Sequence, residues 1–335
     1  MDSGNKRVKP HLSIIIPAYN SAATLPALLR SIINSQLKNI ETIIVDDGST
    51  DKTKEIIKKF PQIRYFSINH QGPGGARNFG ARKAKSDILV FFDSDVVLYA
   101  DTLRIILKAF TDKKTIAITG IWDKDQKNTD FFPRYKALRD WCYWFFEDAG
   151  KQYAHVFSPR VAAIRKKVFL EFGGFDDSQS HVNALEEFGF TYRLTGKYKI
   201  KFLPNLRVHH EFGSFKSMAV RFFKRSFSYA KVFLKYKRFN RNGYTPNEGL
   251  AGLVMVLALF SFSLSFWFSH LLYAALLLLT VHLYLERKFF AFALKEEGFI
   301  FTFKSVFAGL IVYLIVYSAM TASIFHSLFI KDKKS

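Results

Sequence analysis

Cysteine is nearly absent from this 335-residue chain, where Cys142 stands alone. One thiol can form neither an intrachain disulfide nor a cysteine-built zinc site, which excludes disulfide scaffolds and zinc ribbons. Acid is scarce in the C-terminal part: of 28 Asp and Glu, six follow position 210, and none lies between Lys216 and Arg241, where nine Lys or Arg fall. The whole chain carries 49 Lys and Arg, for a formal net charge of +21. A polybasic stretch beside apolar runs points to an anionic membrane face rather than to nucleic acid. The start of the chain also lacks an apolar stretch. Met1-Asp2-Ser3-Gly4-Asn5-Lys6-Arg7 leads directly into a strand-like segment, so no signal peptide is read and the first 210 residues are expected in the cytosol. A content of 49% hydrophobic residues excludes a disordered or collagen-like chain.

What the C-terminal third has instead is length without charge. From 250 to 285 the sequence is apolar apart from Ser, Thr and His, and a second run covers 306–330. A bilayer crossing needs about 20 such residues, so spans are expected at about 250–268, 271–285 and 305–329, the first two reversing near Ser269-His270. The segment 212–249 before them, with Phe222, Phe223 and Phe227 interleaved with Lys224 and Arg225, has the pattern of a helix lying in the interface plane. A basic linker helix packed on the preceding domain is the alternative. The positive-inside rule agrees with a cytosolic N-terminal region. Three crossings, however, would put the basic tail from Lys331 to Lys334 on the far side, against that rule.

Residues 1–211 alternate strands and helices. Apolar, β-rich runs at 12–16, 42–45, 63–68 and 88–92 are separated by helical patterns at 22–33, 52–59 and 75–85. This is the signature of βαβ units and an α/β domain with a mostly parallel sheet. Ligands of such sheets bind beyond the carboxyl ends of the strands, where the polar clusters 17–20, 46–51 and 93–95 all fall. Asp93 and Asp95 can face a hard divalent cation there, although Asp at a strand end also caps helices. Asp46 and Asp47 can hydrogen-bond a base or ribose, and Asp-Asp-Gly-Ser is equally good turn chemistry. The glycine-rich run from Gly72 to Asn78 fits neither the dinucleotide fingerprint nor the P-loop.

In order and spacing, Ser13-Ile14-Ile15-Ile16-Pro17-Ala18-Tyr19-Asn20, Val45-Asp46-Asp47-Gly48-Ser49-Thr50-Asp51, Ala76-Arg77-Asn78-Phe79-Gly80 and Phe92-Asp93-Ser94-Asp95 resemble glycosyltransferase family 2, the inverting enzymes of the GT-A fold. Ala163-Ile164-Arg165-Lys166 through Gly173-Gly174-Phe175-Asp176, Leu185-Glu186-Glu187 through Arg193-Leu194, and Val208-His209-His210 continue it. The resemblance implies that Pro17, Tyr19, Asp46, Asp47, Arg77, Asp93 and Ser94 line the donor nucleotide's pocket. It implies that Asp93 and Asp95, with His210, serve a divalent cation, Mg or Mn, that neutralises the departing diphosphate. Glu187 would be the general base, in place of the family's Asp, with Glu186 the fallback. Lys224 and Arg225 are expected at the acceptor and membrane side.

The Gln-x-x-Arg-Trp motif of the family's processive synthases is missing; Arg221-Phe222-Phe223-Lys224-Arg225 stands in its place. One sugar per encounter is therefore expected. Three functions remain open at this level. The first is transfer of one sugar from a nucleotide-diphosphate sugar to a hydroxyl of a lipid-linked or membrane-borne acceptor. The second is transfer to a polyprenyl phosphate, and the third a non-catalytic nucleotide-sugar-binding membrane protein. A phosphate acceptor is already ionised and needs no base, so the Glu-Glu pair favours the first. The setting expected is an integral protein of a prokaryotic cytoplasmic membrane.

Overall fold

The structure is a computed structural model that describes residues 9–148, 152–176, 186–236 and 246–329. Leu185, residues 237–241 of the basic segment and the tail from Lys331 to Lys334 lie outside the described residues. The chain forms two compact units, one of 1–123 with 147–211 and another of 124–146 with 212–335.

In the first unit a mixed sheet runs through strands β1 (Leu12–Ala18), β2 (Ile40–Asp46), β3 (Arg64–Ser67), β4 (Ile88–Phe92), β5 (Val96–Leu98), β6 (Ala117–Trp122), β7 (Tyr153–Ala154), β8 (Val161–Arg165) and β9 (Ile200–His210), in the order β3-β2-β1-β4-β8-β6-β9-β5, with β7 on β9. The half built by β3, β2, β1 and β4 is parallel. Every residue of β1 is buried, as a parallel strand covered on both faces requires. Its register sets Pro17 opposite Val45 and Ala18 opposite Asp46, so the carboxyl ends of β1 and β2 finish level. Beyond β4 the sheet turns antiparallel through β8.

The connecting helices are α1 (Leu25–Asn34), α2 (Thr53–Lys58), α3 (Gly72–Lys83) and α4 (Thr102–Ala109). Helix α1 buries Leu25, Leu28, Leu29 and Ile32, the i, i+3, i+4, i+7 stripe of an amphipathic helix on a sheet. A cluster of Phe91, Phe157, Phe169, Phe175 and Phe190 fills the core, with ring centroids 5.1–6.1 Å apart. Strand β6 shifts register on β9 between Thr119 and Ile121. Gly120 sits in that irregularity, where a Cβ would lie 2.1 Å from the Leu206 carbonyl oxygen; only glycine lets the two backbones approach so closely.

The second unit is helical: α5 (Phe131–Asp148), then, after α6 (Lys166–Glu171) and α7 (Glu186–Thr195) of the first unit, α8 (Phe215–Tyr236), α9 (Pro246–Leu264), α10 (Leu271–Leu285), α11 (Arg287–Glu297) and α12 (Phe299–Phe329). Residues 124–146, read from sequence as part of a 1–211 domain, cluster with these C-terminal helices. The reason is a buried polar knot. Arg139 of α5 donates to Glu248 of α9, to the Tyr135 hydroxyl at 2.6 Å and to the Tyr313 hydroxyl of α12 at 2.6 Å, while the hydroxyls of Tyr143 and Tyr313 donate to Glu286. Burying a charge is tolerable only when it is paired and hydrogen-bonded, and Arg139 finds its partners among these helices. The segment expected as two crossings turns back between Leu264 and Leu271, but its apolar helices cover Glu248–Leu264 and Leu271–Leu285, each shorter than the roughly 20 residues of a bilayer crossing. One helix, over Phe299–Ser327, is long and apolar enough to cross a membrane.

Candidate active site

Three loops at the carboxyl ends of the parallel strands build the site. Asn20, at φ 49°, ties the loop after β1 to the loop after β2. Its amide donates to Ser49 Oγ at 2.9 Å, and its side-chain oxygen accepts from the Thr50 and Asp51 amides at 2.8 and 3.2 Å. Pro17 is the next-to-last residue of β1, just before this junction. Tyr19 is half exposed and its ring lies 4.6 Å from that of His70, leaving a flat aromatic face at the rim.

Asp46 is buried, and its two oxygens accept from the Ser49 amide and the Tyr65 hydroxyl, each at 2.9 Å. Asp47 is buried too, but its carboxylate caps α3. Oδ1 accepts from the Gln71 amide at 2.7 Å and Oδ2 from the Gly72 amide at 2.9 Å, with His70 Nδ1 2.9 Å from Oδ2. Burial pushes the Asp47 pKa above the usual carboxylate value, and these donors offset only part of that rise. The structure therefore spends Asp47 on positioning α3, whereas Asp46 joins the loop after β2 to Tyr65 of β3.

Helix α3 carries Arg77, whose buried guanidinium donates to Asp93 Oδ1 after β4 and to Glu186 Oε1 at 2.7 Å. Burial alone would lower the Arg77 pKa, and the carboxylates of Asp93 and Glu186, with a smaller contribution from Glu187, raise it. Two motifs more than a hundred residues apart meet at one side chain. Glu186 and Glu187 open α7, both within its first turn and Glu187 buried. The turn at Gly174-Phe175 is fixed by Asn78, which donates to the Phe175 carbonyl at 2.8 Å and accepts from the Phe175 amide at 2.9 Å. Gly174, at φ 67°, leaves room for that amide, since a Cβ there would stand 2.4 Å from Asn78 Oδ1.

Strand β5 follows Asp95 directly and pairs antiparallel with β9, placing Val96 opposite His210. His210 Nε2 consequently lies 3.3 Å from Asp95 Oδ2. Ser94 Oγ is 2.8 Å from Ser21 Oγ, joining this turn to the loop after β1. Among the described residues, no group of three His, Cys, Asp or Glu side chains could hold a metal by itself. Asp95 and His210 form a two-residue face that other oxygen ligands would have to complete.

Sequence reading missed Trp122 and Arg160. The Trp122 ring stacks 5.4 Å from His210, and the Arg160 guanidinium lies 3.4 Å over that ring. It also missed His70 and Tyr65; the polar run Asn69-His70-Gln71 after β3, at a fourth strand end, was the clue to His70. Lys224 and Arg225 belong to the second unit, on α8, where Lys224 is exposed together with Val220, Arg221 and Phe223.

Residues 13–173 match the profile of glycosyl transferase family 2. An uncharacterized glycosyltransferase of Haemophilus influenzae is 42% identical over 100 residues, which are 28% of this chain and 40% of that protein. The GalNAc(5)-diNAcBac-PP-undecaprenol beta-1,3-glucosyltransferase of Campylobacter jejuni is 25% identical over 247 residues, 70% of this chain and 67% of that one. The chain spans 18% of the length of an uncharacterized glycosyltransferase of Rickettsia felis, to which 31% of it aligns. Among solved structures, mannosyltransferase PcManGT of Pyrobaculum calidifontis, in complex with GDP-Man and Mn2+, superposes with a TM-score of 0.56 at 18% identity, covering 97% of this chain and 89% of that one. This is a likeness of fold, and it is the GT-A architecture. Residues 13–173, just under half of the chain, thus carry the match to glycosyl transferase family 2.

Proposed function

We propose that the chain transfers a single sugar, with inversion, from a nucleoside-diphosphate sugar to a hydroxyl of a lipid-linked or membrane-borne acceptor, its catalytic domain facing the cytosol. The observation that carries this reading is the bridge made by Arg77 between Asp93 and Glu186. It holds the Asp-x-Asp turn and the start of α7 on one cleft, so a donor phosphate and an attacking oxygen can be served together. The PP-undecaprenol acceptor in the Campylobacter relative's name supports a lipid-linked substrate.

Each residue then has a task. Pro17, Tyr19 and Asp46 receive the nucleotide, Asp47 fixes the loop beside them, and Ser94 braces the turn. The residues fit a hard divalent cation: Asp95 offers a partly exposed carboxylate beside His210, and Asp93 keeps an oxygen beyond the one given to Arg77. Mg or Mn bound there would supply charge neutralisation to the departing diphosphate, whose oxygens complete the shell. Glu187, buried in the first turn of α7 next to Glu186, is the base that takes the acceptor's proton. A positioned carboxylate contributes typically about 10²–10⁴-fold. On α8, the exposed Lys224 and the adjoining Arg225 face anionic groups of the lipid and of the acceptor.

Glu187→Gln keeps the shape and removes the basicity. Donor binding by titration should survive, and single-turnover transfer to a hydroxyl acceptor should fall by about 10²-fold or more. A near-normal rate would sink the hydroxyl reading and favour a polyprenyl phosphate acceptor. A screen of nucleotide sugars for thermal stabilisation identifies the donor.

A further inference from the structure

Helix α12 has the length and composition of a membrane crossing, yet its surroundings argue against one. Its exposed apolar side chains recur at Ile300, Phe303, Phe307, Ile311, Leu314 and Phe325, one stripe at helical spacing. The opposite stripe, through Phe301, Ala308, Val312, Val316 and Ala319, is buried along the same length. Half of the helix faces outward from end to end, and protein covers the other half.

The covering elements are charged. Near the start of α12, Phe131 of α5 packs on Phe301 at 4.9 Å, one turn before Arg134, which pairs with Glu297. At its middle, Arg139 of α5 donates to Tyr313. Near its end, Phe227 of α8 meets His326 at 5.7 Å. Helix α5 also carries Lys136 and Asp140, and α8 exposes Lys216, Arg221 and Lys224. If α12 stood upright in a bilayer, it would drag these helices into the hydrocarbon at three levels, where Lys, Arg and Asp are costly.

The α9–α10 hairpin is built differently. Its apolar helices have 17 and 15 residues, Glu248–Leu264 and Leu271–Leu285, or roughly 25 and 22 Å at 1.5 Å per residue, against about 30 Å of hydrocarbon. Its base is polar. His282 Nδ1 contacts the Ala251 carbonyl at 3.0 Å, and Glu248 and Glu286 enter the Arg139 knot. Its tip is the reverse: Phe266, Trp267 and Phe268 are 78%, 77% and 56% exposed, and no Asp, Glu, Lys or Arg occurs between Glu248 and Glu286.

We infer that the second unit is embedded from one face without crossing. Helix α12 lies along the bilayer surface with its apolar stripe in lipid, the basic α8 meets anionic headgroups, and the α9–α10 hairpin dips in and turns back before the far leaflet's surface. The occupant of all three faces is an anionic lipid bilayer, argued from the charge of α8, the one-sided stripe and the length of the hairpin. The inference also removes the conflict between three crossings and a basic tail.

It rests on the membrane residence proposed above, and its test separates the two. Single cysteines are introduced as Lys295→Cys, Ser327→Cys and Ser269→Cys in the full chain, then probed with a membrane-impermeant maleimide in right-side-out and inverted vesicles. The native Cys142 is buried, its thiol pushed up to about 12, and stays silent. The expected result is labelling of Cys at 295 and 327 from one and the same face, and of Cys at 269 from neither face until detergent is added. Labelling of 295 and 327 from opposite faces, or of 269 from the far face, overturns the inference while leaving membrane residence intact. Release of the wild type by alkaline carbonate overturns both.

Discussion

At the scale of single residues, Arg77 does work that a lysine could not repeat. A guanidinium presents a rigid fork, and here its two arms reach carboxylates on different elements. Arg77→Lys keeps the charge and loses one arm, a charge-assisted bond of about 1.5–3 kcal/mol. Transfer should drop by about ten- to a hundredfold, read as kcat/KM in a steady-state assay, with folded content unchanged by circular dichroism. Asp95→Ala should abolish transfer, and a chelator of divalent cations should do the same to the wild type; full activity in excess chelator would refute the cation site. The legibility of these residues from sequence was uneven. Asp93 and Asp95 stand at a strand end and announce themselves, and Arg77 lies in a motif. Trp122 and Arg160 were invisible because their stack is made across the sheet, between residues with no local pattern. Asp47 was legible as a polar residue, but its use as a cap for α3 depends on where the Gln71 and Gly72 amides point.

At the scale of elements, the parallel half of the sheet was readable because β1, β2 and β4 are short runs dominated by Ile, Val, Leu and Phe between helical patterns. The antiparallel half was not. Strand β8 reads Val-Ala-Ala-Ile-Arg, a composition that suits a helix equally, and only pairing with β4 and β6 decides it. Helix α5 escaped notice since its charged and aromatic residues do not segregate; it is held by Arg139, a buried charge that no periodicity reveals. A knot of a different kind ties the opening ends of the strands. Glu41 of β2 accepts from Ser13 of β1, from the Lys85 amide and from Arg64 of β3. Burial would raise its pKa, and these donors together hold it below the ordinary value of 4.5. A carboxylate depressed in the folded state contributes stability that is fully present above its unfolded pKa and lost as pH falls through the folded one. Thermal melts should therefore show Glu41→Gln losing stability against the wild type at neutral pH, with the difference shrinking as pH falls below about 4.5. A constant difference across that window would contradict the assignment.

At the scale of the whole molecule, charge and grease are divided along the chain, with the uncharged stretch 249–285 following the basic segment 216–241. Purified protein mixed with vesicles of phosphatidylglycerol should float with them, and with pure phosphatidylcholine vesicles less so. Added salt should narrow that gap, since headgroup attraction is screened within about 8–10 Å, yet the hairpin should keep a salt-resistant fraction bound. Equal flotation on both lipids at low salt would remove any role for α8 at the membrane. The pairing of β5 with β9 has a consequence in time. Asp95 and His210 are neighbours only because the last strand of the first unit folds back beside β5, and more than a hundred residues separate them in sequence. A chain emerging from the ribosome meets its own strands from the N-terminus onward. The loops after β1 and β2 can be knitted early through Asn20, but Asp95 meets His210 only once β9 is synthesised. Nascent chains and prematurely terminated products would accordingly be able to join the first two loops without bringing Asp95 and His210 together.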